Sequence, residues 1–294
     1  MMQRILLLLR LSRPLNLILA ALTYILGAGV SRYLGISQNV IVFWLGLGGI
    51  FLAQFSMSLL AEALRPVEQP SENDENRPER VNLRNAALLV AIGSLAAAAV
   101  IAILLGQQGA LSPTALLFLG LSLLVVLAYA VPPLRLVDAG LGEFALAVHI
   151  AIIAPALGFV LQNGEYHRLV AIVSFPLLLL ALAYFLILDF PTFAADEKYD
   201  RRTLLRSMGW QRAVPLHHGL VLGAYVLLAS GLLFGLAWGL IWPPFLTLPF
   251  AILQIFWLRN ISLGAKPVWN LLTVNALAVF GLTAYLLTFA FWLR

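Results

Sequence analysis

The chain has 294 residues, of which 62% are hydrophobic and only 11% charged, with a formal net charge of +5. A soluble domain of this size carries about a quarter charged residues, so a water-soluble globule is excluded. The chain has no cysteine, which excludes disulfides and thiolate metal sites.

The chain opens on MMQRILLLLRLSRP, where Arg4, Arg10 and Arg13 interrupt a run of leucines. No small-residue cleavage site follows, so the segment reads as an interfacial amphipathic lead-in and not as a signal peptide. From there the apolar residues fall in blocks of about twenty, the length that crosses a bilayer. Nine such spans are predicted, near 15–35, 40–62, 84–106, 113–131, 141–161, 169–189, 213–238, 241–258 and 270–292. The loops at 62–84 and 189–212 are long and acidic, while VPPLRL and GAKPVW are short and proline-bearing. This alternation hints at two weakly similar helical halves within a single domain, 1–294.

Charge distribution gives an orientation. With the N-terminus in the cytoplasm, all 18 lysines and arginines fall on that side except Arg32, Arg168 and Arg294. That asymmetry is the positive-inside pattern. It predicts a multi-pass protein of the cell membrane with its C-terminus outside, and it explains the net positive charge with no nucleic acid as partner. Of the 13 acids, only Glu165 falls outside. Acids do not follow that rule, so the cytoplasmic face needs carboxylates for another reason.

The middles of the spans are nearly free of charge, unlike those of transporters with midplane ionisable groups. The expected fold is therefore all-α, with nine transmembrane helices around a central cavity open to the cytoplasmic side. Such a cavity is polar at its mouth and apolar below, and suits an amphiphile with a charged head and a hydrocarbon tail. Asn16, Gln54 and Ser58, polar residues in otherwise apolar spans, read as bonds to neighbouring helices. Tyr129 and Tyr184 read first as packing residues, with the alternative that they border the cavity, where a π face suits a cation.

The densest chemistry lies in LDFPTFAADEKYDRRTL, 188–204. If the helix runs through it, Asp189, Asp196 and Asp200 share one face, because steps of seven and four return close to the same direction. Carboxylates so placed suit magnesium, which takes one or two of them together with waters and substrate phosphates. Lys198, Arg201 and Arg202 are candidates for charge-assisted bonds to phosphate oxygens. The plainer alternative is a solvated helix end with membrane-anchoring bases.

The spacing D-x6-D-x3-D followed by RTL resembles the second aspartate-rich motif of the UbiA superfamily of intramembrane prenyltransferases. LLRLSRPLNLILAAL (7–21), NRPER (76–80) and YAVPPLRLVDAGLGEFALAVHIAIIAPALGFVLQNG (129–164) are similar to other stretches of that family. The resemblance implies nine helices and an isoprenyl diphosphate held through Mg2+ by two acidic motifs, after helices two and six. It also implies a lipophilic, often aromatic, acceptor as second substrate, with membrane lipid around the protein and no obligate protein partner. Asp189, Asp196 and Asp200 are then the catalytic and metal-binding acids, and Arg135 faces the diphosphate.

The first motif departs from the family pattern N-D-x-x-D-x-x-x-D. Here AEALRPVEQ, 61–69, has Ala61 for the asparagine, Glu62 for the first aspartate, Arg65 for the second and Gln69 for the third. Glu62 and Glu68 remain as candidate metal ligands, and Arg65 becomes a candidate diphosphate contact. Glu72, Asp74 and Glu75 read as loop charge. Two rival readings stay open: a catalytically inactive relative that binds an isoprenoid lipid, and a transporter or membrane scaffold.

Overall fold

The computed structural model describes the backbone of residues 2–66 and 77–294, and the side chains of 7–66 and 81–294. Among the described residues there are nine helices long and apolar enough to cross a membrane, and no strand. They run Pro14–Tyr33, Val40–Ala63, Val81–Gln107, Pro113–Ala130, Gly142–Asn163, Arg168–Asp189, Trp210–Phe234, Trp238–Ser262 and Trp269–Trp292. These are spans one to nine below. The protein is a multi-pass integral membrane protein, all-α as expected. A short helix, Met2–Leu11, precedes the first span.

Local sequence sets the ends. Pro14 opens span one at a position where its missing N–H costs nothing. The Asn39 side chain accepts from the Ile41 and Val42 amides at the start of span two, and Ser112 accepts from Ala115 N–H at the start of span four. Span five ends on Gly164 at φ 83°, the left-handed conformation glycine adopts at little cost.

Burial separates inner from outer spans. In span five 83% of the most apolar window is buried in protein, against 17% in span three; spans one and six also lie inside. Spans one and five approach closely through small residues. A Cβ at Gly27 would collide with the Pro155 carbonyl, and one at Gly158 with the Tyr24 carbonyl. Beside this contact span five contains a π turn, His149–Ile153, and the Thr23 hydroxyl of span one donates to the Ile150 carbonyl within it. Far along the chain, Trp292 Nε1 donates to Ile25 O at 3.0 Å, tying span nine to span one.

Two segments differ from the sequence expectation. Span eight is not one helix: Trp238–Ile241 leads through a 3-10 turn, Pro243–Thr247, into Leu248–Ser262. The two prolines remove amide donors there. After span six the helix does not run on. It stops at Asp189, turns through Phe190–Thr192 and resumes as Phe193–Lys198 and then Leu204–Met208. Pro191 has no N–H for a helical bond and its ring would crowd the preceding turn. Asp189, Asp196 and Asp200 therefore do not lie along one helix face.

Candidate active site

The site lies where the ends of spans one, two, four, five and six meet. A cavity of about 350 Å³ opens there, with Arg13, Asn16, Tyr129, Glu143, Asp189 and Arg201 among its lining. Leu146, Tyr184, Phe185 and Leu188 make its walls apolar. Of the acids predicted from the sequence, Asp189 faces this space directly. Its partner is Glu143, from the first turn of span five: the two carboxyl groups lie within hydrogen-bonding reach. Two carboxyl groups can hold that contact only with a proton between them or a cation beside them.

Asp196 is buried, 4% exposed. Thr192 Oγ1 donates to its Oδ2 at 2.8 Å, and Arg201 Nη1 stands 3.6 Å from its Oδ1. Burial pushes this carboxyl above its ordinary range, while the Thr192 hydroxyl and the Arg201 charge pull it back. Asp196 thus holds Arg201, and the other side of that guanidinium faces Asp138 Oδ1 at 3.9 Å. Arg201 N–H also donates to Asp196 O at 2.9 Å, so backbone and side chain fix it together.

Asp200 lies elsewhere. It takes a left-handed conformation, φ 52°, and its side chain is 82% exposed and 2.7 Å from Arg206 Nη2. Lys198 is exposed over the Tyr199 ring. Arg202 is exposed too, and its backbone bridges to Ala139, joining the segments that follow spans six and four.

The end of span two carries an opposite pairing. Glu62, 6% exposed, accepts from Arg65 Nη2 at 2.7 Å. Burial lowers the Arg65 pKa, and the Glu62 charge opposes that shift. Arg135 bonds the Asp138 carboxylate and donates to the Leu64 carbonyl, clasping the loop after span four to the end of span two. Arg13 is held charged, first by Tyr129, whose hydroxyl lies 3.4 Å from its Nη1, and then by Glu62, Asp189 and Glu143 against the cost of burial. Glu68, Glu72, Asp74 and Glu75 lie outside the described residues.

The donor chemistry fits a magnesium ion on one side of the cavity. Asp189 Oδ2 and Glu143 Oε2 are buried without a hydrogen-bond partner, a costly state unless a ligand completes it. Two carboxylates leave the remaining positions of an octahedral ion to phosphate and water. No group of three or more His, Asp or Glu side chains forms a metal cluster among the described residues. On the other side, Glu62 is already neutralised by Arg65.

Sequence reasoning missed Glu143, Arg13 and Asp138 as site residues. Glu143 carried a signal: an acid one residue inside an apolar block of span length is costly and marks function. Arg13 was legible only as a base at a membrane interface.

Comparisons with known proteins speak to the fold and the family. The chain is similar to a solved structure of digeranylgeranylglyceryl phosphate synthase, with TM-score 0.65 and 18% identity, covering 99% of this chain and 98% of that one. It is similar to a UbiA homologue from Archaeoglobus fulgidus bound to GPP and Mg2+, with TM-score 0.62 and 16% identity over 98% of this chain and 99% of the other. A UbiA homologue from Archaeoglobus fulgidus bound to DMAPP and Mg2+ matches with TM-score 0.60 and 16% identity over 95% of this chain and 98% of the other. No curated protein matches by sequence. At these identities the structures speak to the fold. The sequence profile of the UbiA prenyltransferase family matches residues 72–272, more than half of the chain, and the protein belongs to that family.

Proposed function

We propose that the protein is an intramembrane prenyltransferase that moves an isoprenyl group from its diphosphate to a lipophilic acceptor. One observation carries the reading. A single cavity joins buried, unpartnered carboxylate oxygens of Asp189 and Glu143 to the guanidinium groups of Arg13 and Arg201, above apolar walls. That is the charge pattern of an isoprenyl diphosphate, head at the rim and tail below. The Archaeoglobus fulgidus structures, bound to GPP or DMAPP with Mg2+, support the same substrate class.

In this reading the diphosphate lies against Arg201 and Arg13. Asp196 and Asp138 hold Arg201 from two sides, so its fork is preorganised for phosphate oxygens. Asp189 and Glu143 would hold Mg2+, which when bound would supply positive charge to the departing diphosphate. The bond between the allylic carbon and the diphosphate oxygen breaks and the diphosphate keeps the electron pair. The acceptor then bonds to that carbon and gives up a proton to the released diphosphate or to water. Tyr184, Phe185 and Leu188 keep water from the allylic cation, and the tyrosine π face favours its charge. Arg65 and Arg135 stand behind this layer and fix the ends of spans two and four. Asp200, Lys198 and Arg202 belong to the outer rim, where they add to the field that draws in an anionic substrate. We place this rim on the cytoplasmic side of the cell membrane, on the strength of the arginine and lysine asymmetry.

A second reading is a binding protein that keeps the isoprenoid and does not cleave it; the Glu62–Arg65 pair favours it, because it removes one acidic motif. The test is product analysis. Purified protein in nanodiscs receives geranylgeranyl diphosphate, Mg2+ and a panel of phenolic, quinone-precursor and alcohol acceptors. A prenylated product lost in Asp189→Asn supports transfer. Tight diphosphate binding with no product from any acceptor supports the second reading.

A further inference from the structure

A second cavity, of about 450 Å³, lies among spans two to five and shares no lining residue with the candidate active site. Its position follows from the helix rise. Ser122 lies seven residues from Tyr129 on span four, about 10 Å below the charged rim. Gly46 lies sixteen residues from Glu62 on span two, about 24 Å below it. The cavity therefore extends from within about 10 Å of the charged rim on span four into the far half of the bilayer. At 300–1,000 Å³ a cavity is of the size that holds a ligand.

We propose that this cavity is a binding site for one acyl chain of a surrounding membrane lipid. Its wall is built from small residues, Gly46, Gly49 and Ala53 on span two and Ala98, Ala99 and Ala102 on span three. In a membrane, small residues let helices close on one another; here, where span four stands off, they leave space. A void of this size lined by hydrocarbon forfeits dispersion contacts on every wall, and hydrocarbon lies at its mouth. Ile103, Leu116 and Leu123 line the cavity and are also exposed on the outer surface, at 63%, 54% and 49%. Spans three and four are among the least buried of the nine, so that surface faces the bilayer.

The one hydroxyl in the wall argues for a plain chain. Ser122 Oγ lies 3.0 Å from His149 Nε2, and His149 Nδ1 lies 2.8 Å from Gln54 Oε1. The Gln54 oxygen can only accept, so Nδ1 donates to it, and Nε2 of the neutral ring accepts from Ser122. The serine proton is thereby spent inside the protein. The cavity offers no free donor for a head group.

Phosphatidylcholine carrying a diazirine on one acyl chain, incorporated in nanodiscs with the purified protein, tests this by photolabelling and peptide mapping. Adducts on Ala99, Ala102 and Leu123 should exceed those on Leu233 and Val274, both exposed to the bilayer, several-fold. Gly120→Trp should remove the excess; a Cβ at Gly120 meets nothing within 4 Å, so the ring has room to enter the mouth. Gly120→Leu, a smaller plug, should reduce it. Excess geranylgeranyl diphosphate should leave the wild-type pattern unchanged. Even labelling of all bilayer-facing residues overturns the proposal. So does displacement by geranylgeranyl diphosphate, which would give the cavity to that molecule's tail. The wild-type labelling does not depend on turnover, so it fails or succeeds independently of the proposed prenyl transfer.

Discussion

Arg65 closes on Glu62 at 2.7 Å, one turn apart at the end of span two, with both side chains about nine-tenths buried. An acidic motif has become an ion pair. A buried carboxylate left without its partner costs roughly 3–5 kcal/mol; Arg13 also acts on Glu62, so Arg65→Gln should lower thermal stability by less than that full amount. Glu62→Gln, which leaves Arg65 with other neighbours, should cost less. In the double variant the two losses should fall short of their sum, as measured by unfolding in detergent. Full additivity would mean the pair has no energetic coupling.

Asp189 and Glu143 meet across the cavity, and each keeps one oxygen unpartnered. Asp189→Asn and Glu143→Gln preserve shape and remove negative charge. Each should weaken magnesium-dependent binding of pyrophosphate by more than tenfold, read by titration calorimetry with and without the metal. Unchanged binding in both variants would move the metal away from this pair.

Asp196 acts through Arg201. Asp196→Ala should lower magnesium-dependent diphosphate release by no more than the loss of Arg201 itself, because it loosens Arg201, which keeps Asp138 beside it, while the Thr192 hydroxyl keeps the Asp189 carbonyl. Arg201→Gln removes the donor itself and should lower turnover by about a hundredfold, the scale of losing one preorganised electrostatic contact. Asp200→Ala, on an exposed carboxylate bonded to Arg206, should change turnover little. Equal losses from Asp196→Ala and Asp200→Ala would contradict this division of roles.

Spans one and five pack backbone to backbone at Gly27 and Gly158. Either Gly27→Ala or Gly158→Ala drives a methyl group into a carbonyl of the facing helix. The spans must move apart, at a cost of about 3 kcal/mol or more. Gly93→Ala, where a Cβ meets nothing within 4 Å, is the control and should melt like wild type.

The spans were legible because the bilayer imposes a length and a polarity on each, so blocks of twenty apolar residues could be read without tertiary information. Asp189 and Arg201 were legible for the same reason, as charges at the mouth of a span. The course of the chain after span six was not. A periodicity argument carries Asp196 and Asp200 onto the face of Asp189 only through an unbroken helix, and Pro191 breaks it. Glu143 and Arg13 reach the site through the packing of spans one and five against span six. Their spacing in the chain, 130 residues apart, says nothing of that meeting. Gln54 was read as a bond between helices, and it is one, to His149; Asn16 was read alike and instead lines the cavity.

The most direct test of the account is diphosphate release from geranylgeranyl diphosphate by the purified protein in lipid, with and without Mg2+. Release that depends on Mg2+, and that is lost in Asp189→Asn even at substrate concentrations raised to offset its weaker binding, is the predicted result. Binding of the diphosphate with no release at any Mg2+ concentration would contradict the account and leave a protein that holds an isoprenoid without cleaving it.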